Sequence, residues 1–259
     1  MRLSAVEVAQ FQRYLTAYAG DYLRNVIREP RVTCSVCCVP VNRFRRCLQC
    51  RDHHNEHGER LADFVGSLVY ACDSQRSGQV MYRYKTPPRV KEYALVVASL
   101  VWVAIAQHTT CVEALAGMPV SCWATVPSLR TTSGTHPLRQ IVATHPPATA
   151  ETSLLPTEGV RTRRDIGGHF LACRPLAGQP HVMLIDDTWV SGGHAQSAAL
   201  TLRAAGARKV SVLTVARWLT PGWGKTDEFV TGRLRGASYD PGACPWSASG
   251  CLSPATSMT

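Results

Sequence analysis

The chain has 259 residues, 45% of them apolar and 18% charged, which supplies a buried core and leaves no compositional case for disorder. Its 28 Lys and Arg against 18 Asp and Glu give a net charge of +10, with a pI near 9.3. That excess favours polyanionic partners without choosing among nucleic acid, nucleotide phosphates and an anionic membrane surface.

The first 28 residues read as a helix, with Val6, Val8, Phe11, Leu15 and Tyr18 near helical spacing and Pro30 ending it. Glu7 and Gln10 stand where a signal peptide needs an apolar stretch, so export is not expected. Residues 31–58 are rich in Cys, Arg and His and poor in aliphatics. Five of the eleven cysteines lie between Cys34 and Cys50, and the total is odd. That usage points to metal ligation in a reducing cytoplasm rather than to a disulfide scaffold.

Within this segment, Cys34-Ser-Val-Cys37 and Cys47-Leu-Gln-Cys50 are two C-x2-C knuckles. Each places two sulfurs on one tight turn, and two such turns can close a tetrahedron around a structural Zn2+. Cys38 is expected to be a bystander, and His53, His54 and His57 are weaker alternative ligands. Arg43, Arg45, Arg46 and Arg51 surround the knuckles. They read as a solvated loop whose cations offset a negative metal centre, with a phosphate-binding patch as the rival reading.

Leu61, Phe64, Val65, Leu68 and Val69 fall at helical spacing, which predicts a helix over 59–71. Residues 78–85 predict a short strand or turn, and 90–107 a helix. The longest apolar run, Tyr93 to Ala106, falls short of the ~20 residues that span a bilayer, so no membrane insertion is expected. Beyond it, strands are expected at 119–126, 152–155, 168–173, 181–186 and 209–216, and helices at 137–144 and 195–205. Strands alternating with helices imply an α/β fold built on a parallel sheet. The last forty residues are rich in Gly, Pro and Ser and show no periodicity. Among them, Cys244 and Cys251 are a pair that can supply metal ligands, although Trp246 anchoring a loop to the body is the simpler reading. The expected division is an N-terminal helix and zinc knuckle (1–58), an α/β domain (59–220) and an irregular tail (221–259).

The most informative stretch is His181-Val-Met-Leu-Ile-Asp-Asp-Thr-Trp-Val-Ser-Gly-Gly-His194. An apolar strand ends in two acids, and a loop of small residues then leads into a helix. Ligands of open parallel sheets bind at that edge. Gly192 and Gly193 let backbone N–H groups close around a phosphate at the positive end of the helix dipole. Asp186 and Asp187 are placed to accept hydrogen bonds from ribose hydroxyls.

This segment resembles the phosphoribosyl pyrophosphate (PRPP) signature of type I phosphoribosyltransferases. The Cys knuckles, Tyr82-Arg83-Tyr84-Lys85, Val126-Pro127 and Arg164-Asp165-Ile166-Gly167-Gly168-His169-Phe170 are similar to its ComF/GntX-like subgroup, across residues 31 to about 218. The resemblance implies a type I phosphoribosyltransferase-like sheet and PRPP-dependent transfer to an acceptor, with Mg2+ accompanying PRPP and pyrophosphate released. It assigns the ribose hydroxyls to Asp186 and Asp187, and the 5-phosphate to Val190, Ser191, Gly192, Gly193 and His194. Val190 and His194 stand where the family usually carries hydroxyl residues. Arg161 and Arg164, with Arg163, would clamp the departing pyrophosphate, and Arg130 would bind it from the loop after the first core strand. The alternative is a non-catalytic accessory protein of DNA uptake (competence), binding single-stranded DNA or an uptake helicase and using the PRPP site for regulation.

Overall fold

In this computed structural model, the described residues are 3–129, 135–158, 166–222 and 224–251. The chain forms α1 (Ala5–Ala19), α2 (Leu48–His57), β1 (Phe64–Cys72), α3 (Arg76–Arg83) and α4 (Lys91–Ala116). There follow β2 (Val120–Thr125), α5 (Pro137–Thr144), β3 (Ala150–Glu151), β4 (Leu154–Pro156) and β5 (Phe170–Ala172). The last elements are β6 (His181–Trp189), α6 (Gly193–Ala204), β7 (Lys209–Leu219) and α7 (Thr226–Phe229), which runs into a π-helical turn, Val230–Leu234.

Five strands pair all-parallel in the order β1-β7-β6-β2-β3, and β4 and β5 form a separate antiparallel pair. The fold is α/β with helices on both faces of a parallel sheet. On one face, Val69, Trp123, Met183, Ile185 and Leu213 bury against α1, α3 and α4. On the other, Val65, Ala124, Leu184 and Val212 share a core with α6 and with Cys34, Cys37 and Cys50. The cysteine-rich segment therefore covers part of the sheet.

Two elements differ from expectation. Residues 64–72 form a strand, not part of a helix. β1 lies at the edge of the sheet, but both of its faces are covered, so its apolar residues run almost continuously and can mimic helical spacing. Gly66 also disfavours helix, and its missing side chain is filled: a Cβ there would lie 2.8 Å from the Trp246 ring. Residues 76–83 form a helix, not a strand or turn. It buries Val80 and Met81, with Tyr84 at its C-cap, and leaves Tyr82 exposed.

Helix α2 in the cysteine-rich segment and α7 with its π-helical turn in the tail are also unforeseen, and elsewhere the differences are of extent. The first helix stops at Ala19, and the weak strand near 152–155 resolves into β3 and β4. Helix α4 runs on past Ala106 to Ala116, so its apolar stretch is longer than the sequence reading allowed. By length and composition, with a mean hydropathy of 1.7, it could cross a membrane. In the fold, 67% of that apolar window is buried. Trp246 does anchor the tail: it is buried, and its Nε1 donates to the His108 carbonyl at 3.1 Å.

Candidate functional site

Connections from β2 and β6 run to opposite sides of the sheet, β2 to β3 and β6 to β7. The carboxyl ends of β2 and β6 therefore flank a topological switch point, where parallel sheets open a crevice. β6 overshoots its neighbour: its pairing with β2 ends at Ile185 opposite Thr125, while its pairing with β7 continues to Trp189 opposite Arg217. Asp186 and Asp187 lie on this overshoot.

The two acids have unlike surroundings. Asp187 is buried, and its Oδ2 accepts from the Tyr84 hydroxyl at 2.8 Å and from the Lys85 ammonium. His136 Nε2 lies 3.8 Å from the same oxygen. Its Nδ1 accepts from the Leu138 N–H at 3.2 Å, which assigns the ring proton to the nitrogen facing Asp187. Burial opposes ionisation of Asp187, but Lys85 outweighs it and holds the carboxyl below its ordinary range. Among the described residues, no cation bonds Asp186 directly, and Lys85 acts on it only at a distance. Burial first, and the neighbouring Asp187 second, push it up to about 8, while its Oδ1 accepts the Asp187 N–H at 2.8 Å. Burial also lowers His136 and raises Tyr84.

Below the acids, the loop 190–193 turns through Gly192, which has φ +81° and is the N-cap of α6. The Trp189 ring fills the space where a Gly192 side chain would stand, 2.2 Å from the ideal Cβ position. Buried Arg217 on β7 supports the loop, donating to the carbonyls of Trp189 (2.7 Å), Val190 (3.0 Å) and Trp218 (2.6 Å). Gly192 and Gly193 are buried, Ser191 is half-buried, and Val190 and His194 are exposed. The His194 ring stands edge-on to buried His169, with centroids 5.9 Å apart.

The structure thus brings Asp186, Asp187 and the 190–194 loop to one strand end. Arg130, Arg161, Arg163 and Arg164 lie outside the described residues. Lys85, His136 and Arg217 are additions. The Tyr82–Lys85 element was visible as a motif, but nothing in the sequence places its lysine on Asp187.

Two predictions arise from the acid pair. Lys85→Met leaves Asp187 without its cation and should cost about 1–3 kcal/mol in urea unfolding, since the ammonium is partly exposed. In an Asp187→Asn background the same change should cost less, and strict additivity in the double-mutant cycle would defeat the pairing. Asp186 sets the second. Its folded pKa is raised, so the folded state binds the extra proton between about pH 4 and pH 8, and stability falls as pH rises through that window. Asp186→Asn keeps an acceptor for the Asp187 N–H and should flatten that fall, by on the order of 2 kcal/mol at pH 9. Thermal unfolding from pH 5 to 9 reads it, and parallel pH profiles would refute it.

Cys34, Cys37, Cys47 and Cys50 converge as well, their sulfurs all within 4.8 Å of one another. Cys37 and Cys47 stand 3.8 Å apart. With Zn–S bonds of about 2.3 Å, a tetrahedral edge is about 3.8 Å, so the sulfurs fit a tetrahedral thiolate centre and can hold a metal ion. Cys38 lies outside the group, and His53 is paired with Gln49 at 2.8 Å. Among the flanking residues, Phe44 sits between Arg43 and Arg45 and is 68% exposed. Sequence reading treated this loop as arginines alone and passed over the aromatic.

No protein-family model matches the chain, and no curated protein is significantly similar to it. Among solved structures, it is similar to a purine phosphoribosyltransferase from Pyrococcus horikoshii Ot3, at 11% identity and a TM-score of 0.28, covering 49% of this chain and 88% of that one. It is also similar to a hypoxanthine phosphoribosyltransferase from Staphylococcus aureus, at 9% identity and a TM-score of 0.25, covering 40% and 63%. Superpositions this loose carry no argument about activity.

Proposed function

We propose that this chain binds PRPP in the crevice between β2 and β6 and transfers its phosphoribosyl group to an acceptor, releasing pyrophosphate. The observation that carries the reading is the acid pair and left-handed glycine loop at the switch point, backed by the N-terminus of α6. The loop N–H groups at Ser191–His194 and the dipole of α6 would take the 5-phosphate. Asp186 and Asp187 would take the ribose hydroxyls. Because leaving pyrophosphate concentrates negative charge, the reaction needs cations more than a nucleophile. Lys85 lies nearby for that purpose, with Arg130, Arg161 and Arg164 as further candidates.

Carboxylate oxygens suit Mg2+, a hard cation that binds largely through waters and substrate phosphates, so the donor set fits the metal that PRPP brings. It would neutralise charge on the pyrophosphate. Zinc in the Cys34/Cys37/Cys47/Cys50 cluster is structural in this reading, and the protein is placed in the cytoplasm. Isothermal titration of PRPP and Mg2+ into wild type and Asp186→Asn/Asp187→Asn tests the site. Binding lost in the variant, with pyrophosphate released by wild type on adding an acceptor, is expected. Equal heats in both proteins would end the reading.

Exposed Phe44 between Arg43 and Arg45 favours a second reading, in which the cysteine-rich loop binds single-stranded DNA by stacking and phosphate contacts. Fluorescence anisotropy with labelled oligonucleotides should then fall steeply with salt and weaken in both Phe44→Ala and Arg43→Ala/Arg45→Ala. Indifference to all three substitutions would remove it.

A further inference from the structure

Far along the chain from both sites, helix α4 and the C-terminal segment build another convergence of ligands. His108 and Cys111 are three residues apart on one face of α4, and Cys244 and Cys251 come from the tail laid across it. One ligand atom from each of the four lies within 4.8 Å of the other three. His108 Nδ1 is 3.4 Å from Cys251 Sγ and 3.9 Å from Cys111 Sγ. The edges of a tetrahedral zinc centre with nitrogen at about 2.0 Å and sulfur at about 2.3 Å are about 3.5–3.8 Å, so these separations are those of ligands around one ion.

We propose that His108, Cys111, Cys244 and Cys251 form a second, structural Zn2+ site of the Cys3His type, which fastens the C-terminal segment to α4. Three thiols and an imidazole are a soft, nitrogen-and-sulfur set that suits zinc and not Mg2+ or Ca2+. Four protein ligands leave no open position, so the centre holds structure and performs no chemistry. His108 and Cys111 are buried, Cys244 is half-buried and Cys251 is exposed, so the ion is held from the protein side and enters from solvent. The segment is already aligned: Trp246, between the two tail cysteines, donates to the His108 carbonyl and packs onto Gly66. A disulfide would use two of the three cysteines and leave the third, with His108, unexplained; all are free thiols in the structure.

The full-length protein, reduced and loaded with excess 113Cd2+ before desalting, should give two cadmium resonances, one from a four-sulfur centre and one from a three-sulfur, one-nitrogen centre. Bound metal should fall from two equivalents to one in Cys244→Ser/Cys251→Ser, with far-UV circular dichroism retained and the four-sulfur signal unchanged. A single four-sulfur resonance in wild type overturns the proposal, whether or not the variant folds. So does thiol titration of the unreduced, denatured protein that finds two fewer than the eleven cysteines.

Discussion

Gly192→Ala should cost about 3–5 kcal/mol of stability and, on the proposed reading of the 190–194 loop, should lower PRPP affinity more than tenfold. Two penalties add. An alanine at φ +81° costs about 1 kcal/mol or more on backbone grounds alone. Its methyl would also stand 2.2 Å from Trp189 Cζ2, and the ring is buried, so relief requires moving the indole or opening the loop. Gly222 supplies the control, since it has φ +80° with nothing within 4 Å of its Cβ position. Gly222→Ala should show the backbone penalty only, at about 1 kcal/mol. Urea unfolding of both variants separates the terms. Equal losses would mean that contact between Trp189 and the loop has no energetic role.

Disassembling the Cys34/Cys37/Cys47/Cys50 cluster should have the other large effect. Helix α2 has no side-chain cap at its N-terminus and buries only Cys50 and His53, so its own sequence does little to hold it. The cluster's sulfurs instead bind the segment to the core beside Val65 and Val212. If the cluster holds the proposed zinc, Cys37→Ser, or stripping metal with a strong chelator, should lower the melting temperature by on the order of 10 °C and expose residues 31–58 to hydrogen exchange, because the energy of metal binding would then be energy of folding. Unchanged exchange in 31–58 after confirmed metal loss would show that the segment folds without an ion.

The loop and its flanking elements were legible because local sequence carries them: four apolar residues, two acids and a glycine pair specify strand, turn and helix within fourteen positions. The cysteine knuckles were legible for the same reason. Strand β1 was not, because burial on two faces erases the alternation that marks a strand. Helix α3 was missed because Val80, Tyr82 and Tyr84 alternate like a strand, whereas Val80, Met81 and Tyr84 are the residues that pack inward. The surroundings of Asp187 lay beyond any local pattern. Lys85 and His136 reach it from 102 and 51 positions away, and only the folded sheet brings them together.

The two ends of the fold also hold each other. Asn25 and Asp240 exchange side-chain and main-chain hydrogen bonds at 2.8 and 2.7 Å, Arg24 donates to the Leu234 carbonyl at 2.8 Å, and Arg28 to that of Pro245 at 3.0 Å. Sequence separations above 200 residues make these among the last contacts a chain emerging from the ribosome can form. The outer edge of β1 is covered by residues 24–28, where the Arg24 carbonyl accepts from the Tyr70 N–H at 2.8 Å and Asn25 bridges Val69, and residues near 240 clamp that strip in place. A chain truncated near 230 would keep the covering strip but lose its clamp, leaving the edge of β1 guarded only by the short segment before it.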